Sequence, residues 1–493
     1  MSAVFGDVRA ALRLAGILLL FVLTAACVWL MPGWMLTSDM LPAFSAGILI
    51  IGVVCVVAGR SGDQEETHRR LTFLLWWFIL SSEEFFVRLS QTEDTVRGNF
   101  APEAFEEAII WVIVFFCGAI LMLRKPGSLR GLWQGSYKWL TVYAGLCLIS
   151  CAYATQKTFS LAWTFKLCIV ILLLQMCRSQ INDEKKLKTF LNATLWGLAF
   201  LALLPPVRAL FLEGPMFEDG RLGNSISPTG LSGIAGTLFL TALAVRPIVG
   251  RRWTGFLAVA GAIVMFLAGG KSSIIAGLLS AMFFFLMQKR IGAAAGVVTG
   301  VLAIGMVVVS MTPVSGYLMN YAQSGEAATL TARSGLWELA MPLILSRPLQ
   351  GYGYASSRFI SVQVGGVAWD PGHMHNGFLE ALYNNGALGL AVMIALHAVI
   401  IRNAFRVLRD PKVNARYRGL AAGCAAIYLN ILMNGMVNAT FGGRADGPFL
   451  ILLALLVIGE RVRFLAGLEP VAALATAEPT SMGRVFAVPR MAE

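Results

Sequence analysis

The sequence predicts an all-α polytopic membrane protein with about 12 to 14 transmembrane helices, on three observations. Of 493 residues, 57% are hydrophobic and only 13% are charged, with a mean hydropathy of +0.72, whereas soluble domains carry about 25% charged residues. Apolar windows of roughly 17 to 25 residues recur along nearly the whole chain, each long enough to cross about 30 Å of hydrocarbon as a helix. These runs are continuous and lack the alternation of a transmembrane β-barrel.

In order, the spans read as about 12 to 31, 41 to 59, 71 to 88, 107 to 123, 139 to 153, 159 to 177, 189 to 206, 229 to 245, 253 to 269, 272 to 288, 291 to 311, 377 to 401, 417 to 437 and 446 to 462. The first has no small-residue cleavage site followed by a soluble domain, so it is expected to be retained as a span. The chain divides into an N-terminal transmembrane bundle (1–311), a long loop (312–376), C-terminal transmembrane helices (377–464) and a tail (465–493). That tail is rich in Ala, Pro and Glu and too poor in apolar periodicity to pack.

The formal net charge of +12 is not a nucleic-acid signature, because the cations sit in short loops between spans. Basic residues crowd one set of loops: Arg60/Arg69/Arg70, Arg124/Lys125/Arg130, Arg178/Lys185/Lys186/Lys188, Arg246/Arg251/Arg252, Lys289/Arg290 and Arg402/Arg406/Arg409/Lys412/Arg416/Arg418. By the positive-inside rule these are cytoplasmic, as are both termini. The loops near 32 to 40, 89 to 106, 207 to 228 and 312 to 376 then lie outside, and the last is long enough to have a function of its own. All eight cysteines lie in or beside apolar runs, with no C-x-x-C pair and no Cys/His cluster. Neither a disulfide framework nor a structural zinc site is indicated.

Cations are scarce on the outer side, where Arg97, Lys157, Arg208, Arg221, Lys271, Arg333, Arg347, Arg358 and Arg444 are the main ones. Arg97, Lys157 and Arg347 fit lipid-facing anchors. Arg221 lies in the polar, Gly-rich FEDGRLGNSISPTGLSG, and Lys271 in LAGGKSS, where small residues let backbone approach a ligand. Arg333 opens RSGLWELAMPLIL, an amphipathic helix pattern with apolar Leu336, Trp337, Leu339 and Leu343; it reads either as an anion ligand or as the cap of that helix.

Two of the four histidines fall in WDPGHMHNGFLEALYNNGALGL, just ahead of an apolar run. His68 and His397 read as polar caps. His375 precedes Asn376 at a helix start, after the turn-forming DPG. A helix N-terminus favours anions, and a neutral imidazole there can accept a proton from a sugar hydroxyl. His373 is expected to point elsewhere once the helix begins.

HMHNGFLEALYNNGALGL resembles the H-x-H-N-x-x-L-E signature of the O-antigen ligase superfamily, which also includes O-antigen polymerases and protein O-oligosaccharyltransferases. RSGLWELAMPLILSRPLQGYGYASSRF is similar to that family's R-x-x-x-W segment ending in P-x-x-G-x-G. RLGNSISPTGLSG resembles the arginine-containing loop that opens its conserved core. Together they cover about residues 215 to 395. One position departs from the pattern: relatives often carry an arginine where this chain has Lys271, which keeps the charge without bidentate phosphate geometry.

The resemblance implies a GT-C-like glycosyltransferase of the bacterial inner membrane with a periplasmic active site, needing no cofactor and no metal. It would be an O-antigen ligase moving preassembled glycan from undecaprenyl pyrophosphate to lipid A-core, with membrane lipids and no nucleic acid as its other partners. Carried over by position, Arg221, Arg333 and Lys271 would bind the donor pyrophosphate. His375 would be catalytic, with His373, Asn376 and Glu380 in support. The residues themselves agree: a polyprenyl pyrophosphate calls for cations at the membrane boundary, while Glu218, Asp219, Glu338 and Asp370 form no pair in sequence. An O-antigen polymerase or a protein O-oligosaccharyltransferase remains an alternative. A lipid-linked glycan transporter fits less well, since the sequence has no internal repeat and its distinctive cations cluster at one face.

Overall fold

The computed structural model describes residues 64–82, 102–124, 131–211, 217–218, 220–223, 227–323, 333–360, 363, 372–438, 440–443 and 447–468. The spans expected at 12 to 31 and 41 to 59, the loop near 89 to 101 and the tail lie outside the described residues, as do the side chains of Arg208, Glu218, Asp219, Asp370 and Arg444.

The described chain is mostly helical. It runs α1 (Gln64–Ser82), α2 (Pro102–Arg124), α3 (Lys138–Ser150), α4 (Lys157–Gln180) and α5 (Glu184–Phe211), then a hairpin of β1 (Phe217–Glu218) and β2 (Arg221–Leu222). There follow α6 (Pro228–Val249), α7 (Arg252–Leu267), α8 (Lys271–Met287), α9 (Ile291–Met311), α10 (Val314–Gln323), α11 (Arg333–Ser346) and a 3₁₀ turn (Ser356–Phe359). The last three helices are α12 (Gly377–Arg409), α13 (Ala415–Gly435) and α14 (Gly447–Leu465). Among the described residues five segments are long and apolar enough to cross a membrane: Lys157–Gln180, Glu184–Val207, Pro228–Val249, Ile291–Met311 and Gly377–Arg409.

The helix starts follow from local chemistry. Ser227 caps α6, accepting from the Gly230 N–H at 3.2 Å, and Pro228 occupies the first helical position, where no N–H is needed. Asn414 caps α13 through the Arg416 N–H at 2.9 Å. At the centre, α6 packs against α5, α7, α8 and α13. Small residues set those approaches: a Cβ on Gly261 would stand 2.9 Å from the Ala235 carbonyl oxygen, and one on Gly423 would stand 2.2 Å from the Ala244 Cβ. Between apolar helices in lipid such close packing takes the place of a hydrophobic drive. By contrast α9 is only 17% buried, leaving Ile291, Met306 and Met311 exposed on a face suited to acyl chains.

The helix expected at 377 to 401 is broken. Asn385 and Gly386 leave helical geometry, and Gly386 adopts φ 63°, ψ −165°, where a side chain would meet the Leu349 carbonyl oxygen. The segment after α11 takes up the freed backbone groups: Ala387 N–H donates to Pro348 O at 2.8 Å, Tyr352 N–H to Tyr383 O at 2.9 Å, and Gly353 N–H to Asn384 O at 2.7 Å.

At the far end of α12, Arg463 donates to Asn403 at 2.7 Å and Asn403 to Ser136 at 3.2 Å. Nearby, Arg178 donates from Nε to Glu460 Oε1 at 2.7 Å, and from Nη1 to Gln175 and Gly131 at 2.9 and 3.1 Å. Arg178, expected among solvated loop cations, is instead 2% exposed and ion-paired.

Candidate functional site

The hairpin, α8, α10 and α11 bring the distinctive cations together. Lys271 is the first residue of α8, and Gly269 just before it (φ 62°) leaves room for the Arg221 methylenes, which a Cβ there would approach to 3.3 Å. Arg221 sits on β2, opposite Glu218, so the expected irregular loop is a short antiparallel hairpin turning at Gly220. Tyr317 and Tyr321, one turn apart on α10, lie among the charges. The Lys271 Nζ donates to Tyr317 Oη at 2.6 Å and stands 2.8 Å from the Tyr321 ring centre. The Arg221 guanidinium lies 4.3 Å from the centre of the Tyr317 ring. An aromatic face attracts each cation by about 0.5 to 2 kcal/mol, which offsets repulsion between like charges held this close. The Arg221 Nε–H is buried and meets no hydrogen-bond acceptor among the described residues.

Arg333 begins α11 and is half-buried. It donates to Asn438 Oδ1 at 3.4 Å, while Asn438 donates to Ser272 Oγ at 3.3 Å, so one asparagine joins the starts of α11 and α8. Burial pulls the Arg333 pKa down, opposed by the phenols of Tyr321 and Tyr317. Asn438 lies just past α13, which carries two more asparagines: Asn434 accepts from Ser273 at 2.8 Å, and Asn430 donates to Thr237 on α6 at 3.2 Å. The four-residue spacing puts Asn430 and Asn434 on one face of α13, and Asn438 follows just beyond its end.

The histidine segment is clamped at its middle residue. Met374 is fully buried; its N–H donates to Glu380 Oε2 at 2.7 Å, and its carbonyl accepts from Trp337 Nε1 at 2.8 Å. Glu380 also accepts from the Ser357 hydroxyl. Asn376 caps α12, its Oδ1 accepting from the N–H groups of Phe378 and Leu379 at 3.0 and 3.1 Å, and its Nδ2 donates to Met436 O at 3.1 Å. Leu336, Ala340 and Ile344 of α11 pack with Met374, Ile360 and Tyr383, so the buried stripe of α11 excludes the expected Leu339, which is exposed.

His375 lies at φ 52°, a left-handed conformation that folds its backbone N–H back onto His373 Nδ1 at 3.1 Å. The two rings stand 4.0 Å apart between centres. His373 therefore does not point elsewhere: the strained residue between clamp and cap brings the two rings together, tilted 58° to each other. Burial, and secondarily the Arg333 charge, pull the His375 pKa down to about 4. Its imidazole is thus neutral at physiological pH and lies within the electrostatic reach of Arg333.

In a comparison with protein families, the O-antigen ligase family model aligns with residues 256–394. That stretch of the chain is similar to the O-antigen ligase family. No curated protein matches the chain. The matched region spans Lys271, Tyr317, Tyr321, Arg333, His373, His375, Asn376 and Glu380, whereas Arg221 and Asn438 reach the same place from outside it. Its boundaries follow the chain from α7 into α12, including the break at Gly386.

Of the sequence-derived candidates, Arg221, Lys271, Arg333, His373, His375, Asn376 and Glu380 all lie in this connected set of contacts. Arg358 stands beside the same segment, where a Cβ on Gly372 would meet its guanidinium at 2.7 Å. Arg347 instead lies against the Tyr352 ring at 4.8 Å. His68 contacts the Leu121 carbonyl at 2.9 Å, and His397 the Tyr428 hydroxyl at 3.1 Å, both buried away from the cations. Sequence reasoning missed Tyr317, Tyr321, Trp337 and Asn438. The asparagine spacing 430, 434, 438 was a usable signal; two tyrosines in an apolar stretch look like lipid-facing residues. Among the described residues no group of three or more His, Cys, Asp or Glu side chains gathers as a metal site would.

Proposed function

We propose that this membrane protein is an O-antigen ligase, transferring preassembled glycan from undecaprenyl pyrophosphate to lipid A-core without a metal ion. The observation that carries this reading is the meeting of Arg221, Lys271 and Arg333, from three separate segments, beside a neutral histidine in the family-matched region. The bundle is GT-C-like in this reading, and the site faces the periplasm of a bacterial inner membrane.

In the transfer step, the three cations hold the pyrophosphate oxygens where negative charge grows as the leaving group departs. An acceptor hydroxyl attacks the anomeric carbon and gives its proton to His375. The bond between that carbon and the phosphate oxygen breaks, and undecaprenyl pyrophosphate leaves with the electron pair. His373 keeps His375 in its folded-back conformation, while Glu380 and Asn376 fix the segment on either side.

Purified protein with lipid-linked glycan and EDTA tests the reading when given lipid A-core, a second lipid-linked repeat, or a pilin-like protein. Transfer to lipid A-core is expected. Transfer only to the repeat, or only to the protein, makes the enzyme a polymerase or a protein O-oligosaccharyltransferase, and rescue only by added Mg²⁺ refutes the metal-free step. Arg221→Lys and Arg333→Lys should each weaken donor binding about tenfold, because a guanidinium grips phosphate through two parallel N–H bonds and an ammonium does not. Unchanged binding in both would remove them from the donor site.

The proposed topology has its own check. Met319 on α10 is exposed, and a cysteine in its place should react with a membrane-impermeant thiol reagent once the outer membrane is permeabilised. Labelling only after inner-membrane lysis would put the site on the cytoplasmic side.

A further inference from the structure

We propose that Trp337 is a positioning residue for the transfer step: its indole N–H holds the peptide between Met374 and His375, and so sets where the histidine stands relative to Arg333. This rests on the donor and base assignments above, and it gives α11 a second task besides carrying Arg333.

The peptide ahead of His375 is fixed at both edges. Its carbonyl, on Met374, accepts from Trp337 Nε1 at 2.8 Å, and its N–H, on His375, donates to His373 Nδ1 at 3.1 Å. A peptide unit is planar, so two bonds on opposite edges fix its orientation, and φ then decides where the His375 side chain leaves it. That φ is 52°, in the left-handed region, which a residue with a Cβ keeps only while its surroundings hold it there. The peptide upstream is held as well, through the Met374 N–H on Glu380 Oε2 at 2.7 Å. Glu380 and His373 belong to the histidine segment and the helix that follows it, whereas Trp337 comes from α11.

Arg333 and Trp337 are four residues apart on α11, one turn along the same face. Arg333 opens the helix and Trp337 anchors the histidine, so a single turn spans donor ligand and base. The buried stripe beside it is packed: Leu336, Ala340 and Ile344 cluster with Met374, Ile360 and Tyr383, and the Trp337 ring rests against that cluster. The indole N–H is the one polar group of this side chain, and the Met374 carbonyl engages it. Burial, and after it the Arg333 charge, lowers the His375 pKa, so the two ends of the turn are close enough to interact. A pyrophosphate seated on Arg333 therefore finds the histidine at a distance set by α11. Displacing a reacting group by about 1 Å costs roughly a hundredfold in rate, which sets the upper scale for loss of this bond.

The test compares wild type, Trp337→Phe, His375→Ala and the double variant, by binding of a synthetic polyprenyl pyrophosphate and by glycan transfer. A fifth protein carries 3-benzothienylalanine at 337, which keeps the shape of the indole and lacks its N–H. Both replacements at 337 should lower kcat about ten- to a hundredfold and leave the donor Kd within about twofold. With the histidine released from its buried place beside Arg333 and His373, its acid limb in kcat/KM should rise from about 4 toward the ordinary 6.5. Because Trp337 acts through His375, the Phe substitution should cost no more than about twofold in the His375→Ala background. A merely structural tryptophan would cost the same factor in both backgrounds and leave the pH profile where it was. If the isostere transfers at the wild-type rate, or if the Phe and Ala losses multiply, the positioning role is overturned while the donor and base assignments stand. If wild type does not bind the lipid pyrophosphate, or His375→Ala transfers normally, those assignments fall and the role of Trp337 with them.

Discussion

His375→Ala is expected to lower glycan transfer by about two to four orders of magnitude, the usual worth of a positioned acid or base, while the donor still binds. The side chain is held by a left-handed backbone, a clamped neighbour and the helix cap that follows, so its loss removes a group already aimed. A pKa of about 4 means that the imidazole stays neutral throughout the physiological range. The acid limb lies below that of an exposed histidine: acidification from pH 7 to 5 should produce no His375 limb in kcat/KM, which reports the free enzyme. In kcat the limb should move to higher pH, because bound pyrophosphate offsets the Arg333 charge that helps to depress the value. Coincident acid limbs near 6.5 in both profiles would contradict this. His373→Ala should have a smaller effect, by loosening the folded-back conformation. If it abolishes transfer while His375→Ala stays near wild type, with both proteins inserted and folded, the base is His373.

Arg178→Ala should destabilise the fold by about 3 to 5 kcal/mol, since it strands the buried Glu460 carboxylate without a cation. The pair is 2% and 4% exposed, and the arginine also donates to Gln175 and Gly131. Replacing both partners, as Arg178→Met with Glu460→Leu, should recover much of the loss, because no charge is then left buried. The midpoint of denaturant unfolding in detergent reads both. A double variant no more stable than Arg178→Ala would show that the bonds to Gln175 and Gly131, and not the ion pair, hold this end together.

The helices were legible because a membrane span is written as an uninterrupted apolar window; the reading of 291 to 311 coincides with α9, and most other described helices begin within five residues of expectation. Arg221, Lys271 and Arg333 stood out through their exclusion from the basic loops, and the histidine pair through its placement at a helix start. Contacts between distant segments left no such trace. Arg178 and Glu460 are 282 positions apart, and each looks like an ordinary loop-side charge. Tyr317 acquires meaning only when hairpin and helix meet. The break in α12 did leave a signal, Asn385-Gly386 being a turn dipeptide inside an apolar run, but the run itself masked it.

That break has a bearing on what the protein can tolerate. The three bonds that stitch residues 348–353 to it join backbone to backbone, so they ignore which side chains the loop carries. Leu349 is exposed and can change freely as far as the stitch is concerned. One inserted residue would instead move the Tyr352 and Gly353 donors past their acceptors, and a Cβ at Gly351 or Gly386 would strike backbone. Homologous loops grafted between Pro348 and Gly353 should therefore be accepted by length, by glycine placement and by keeping the Tyr352 ring that stacks on Tyr383, with the rest of the composition of little weight.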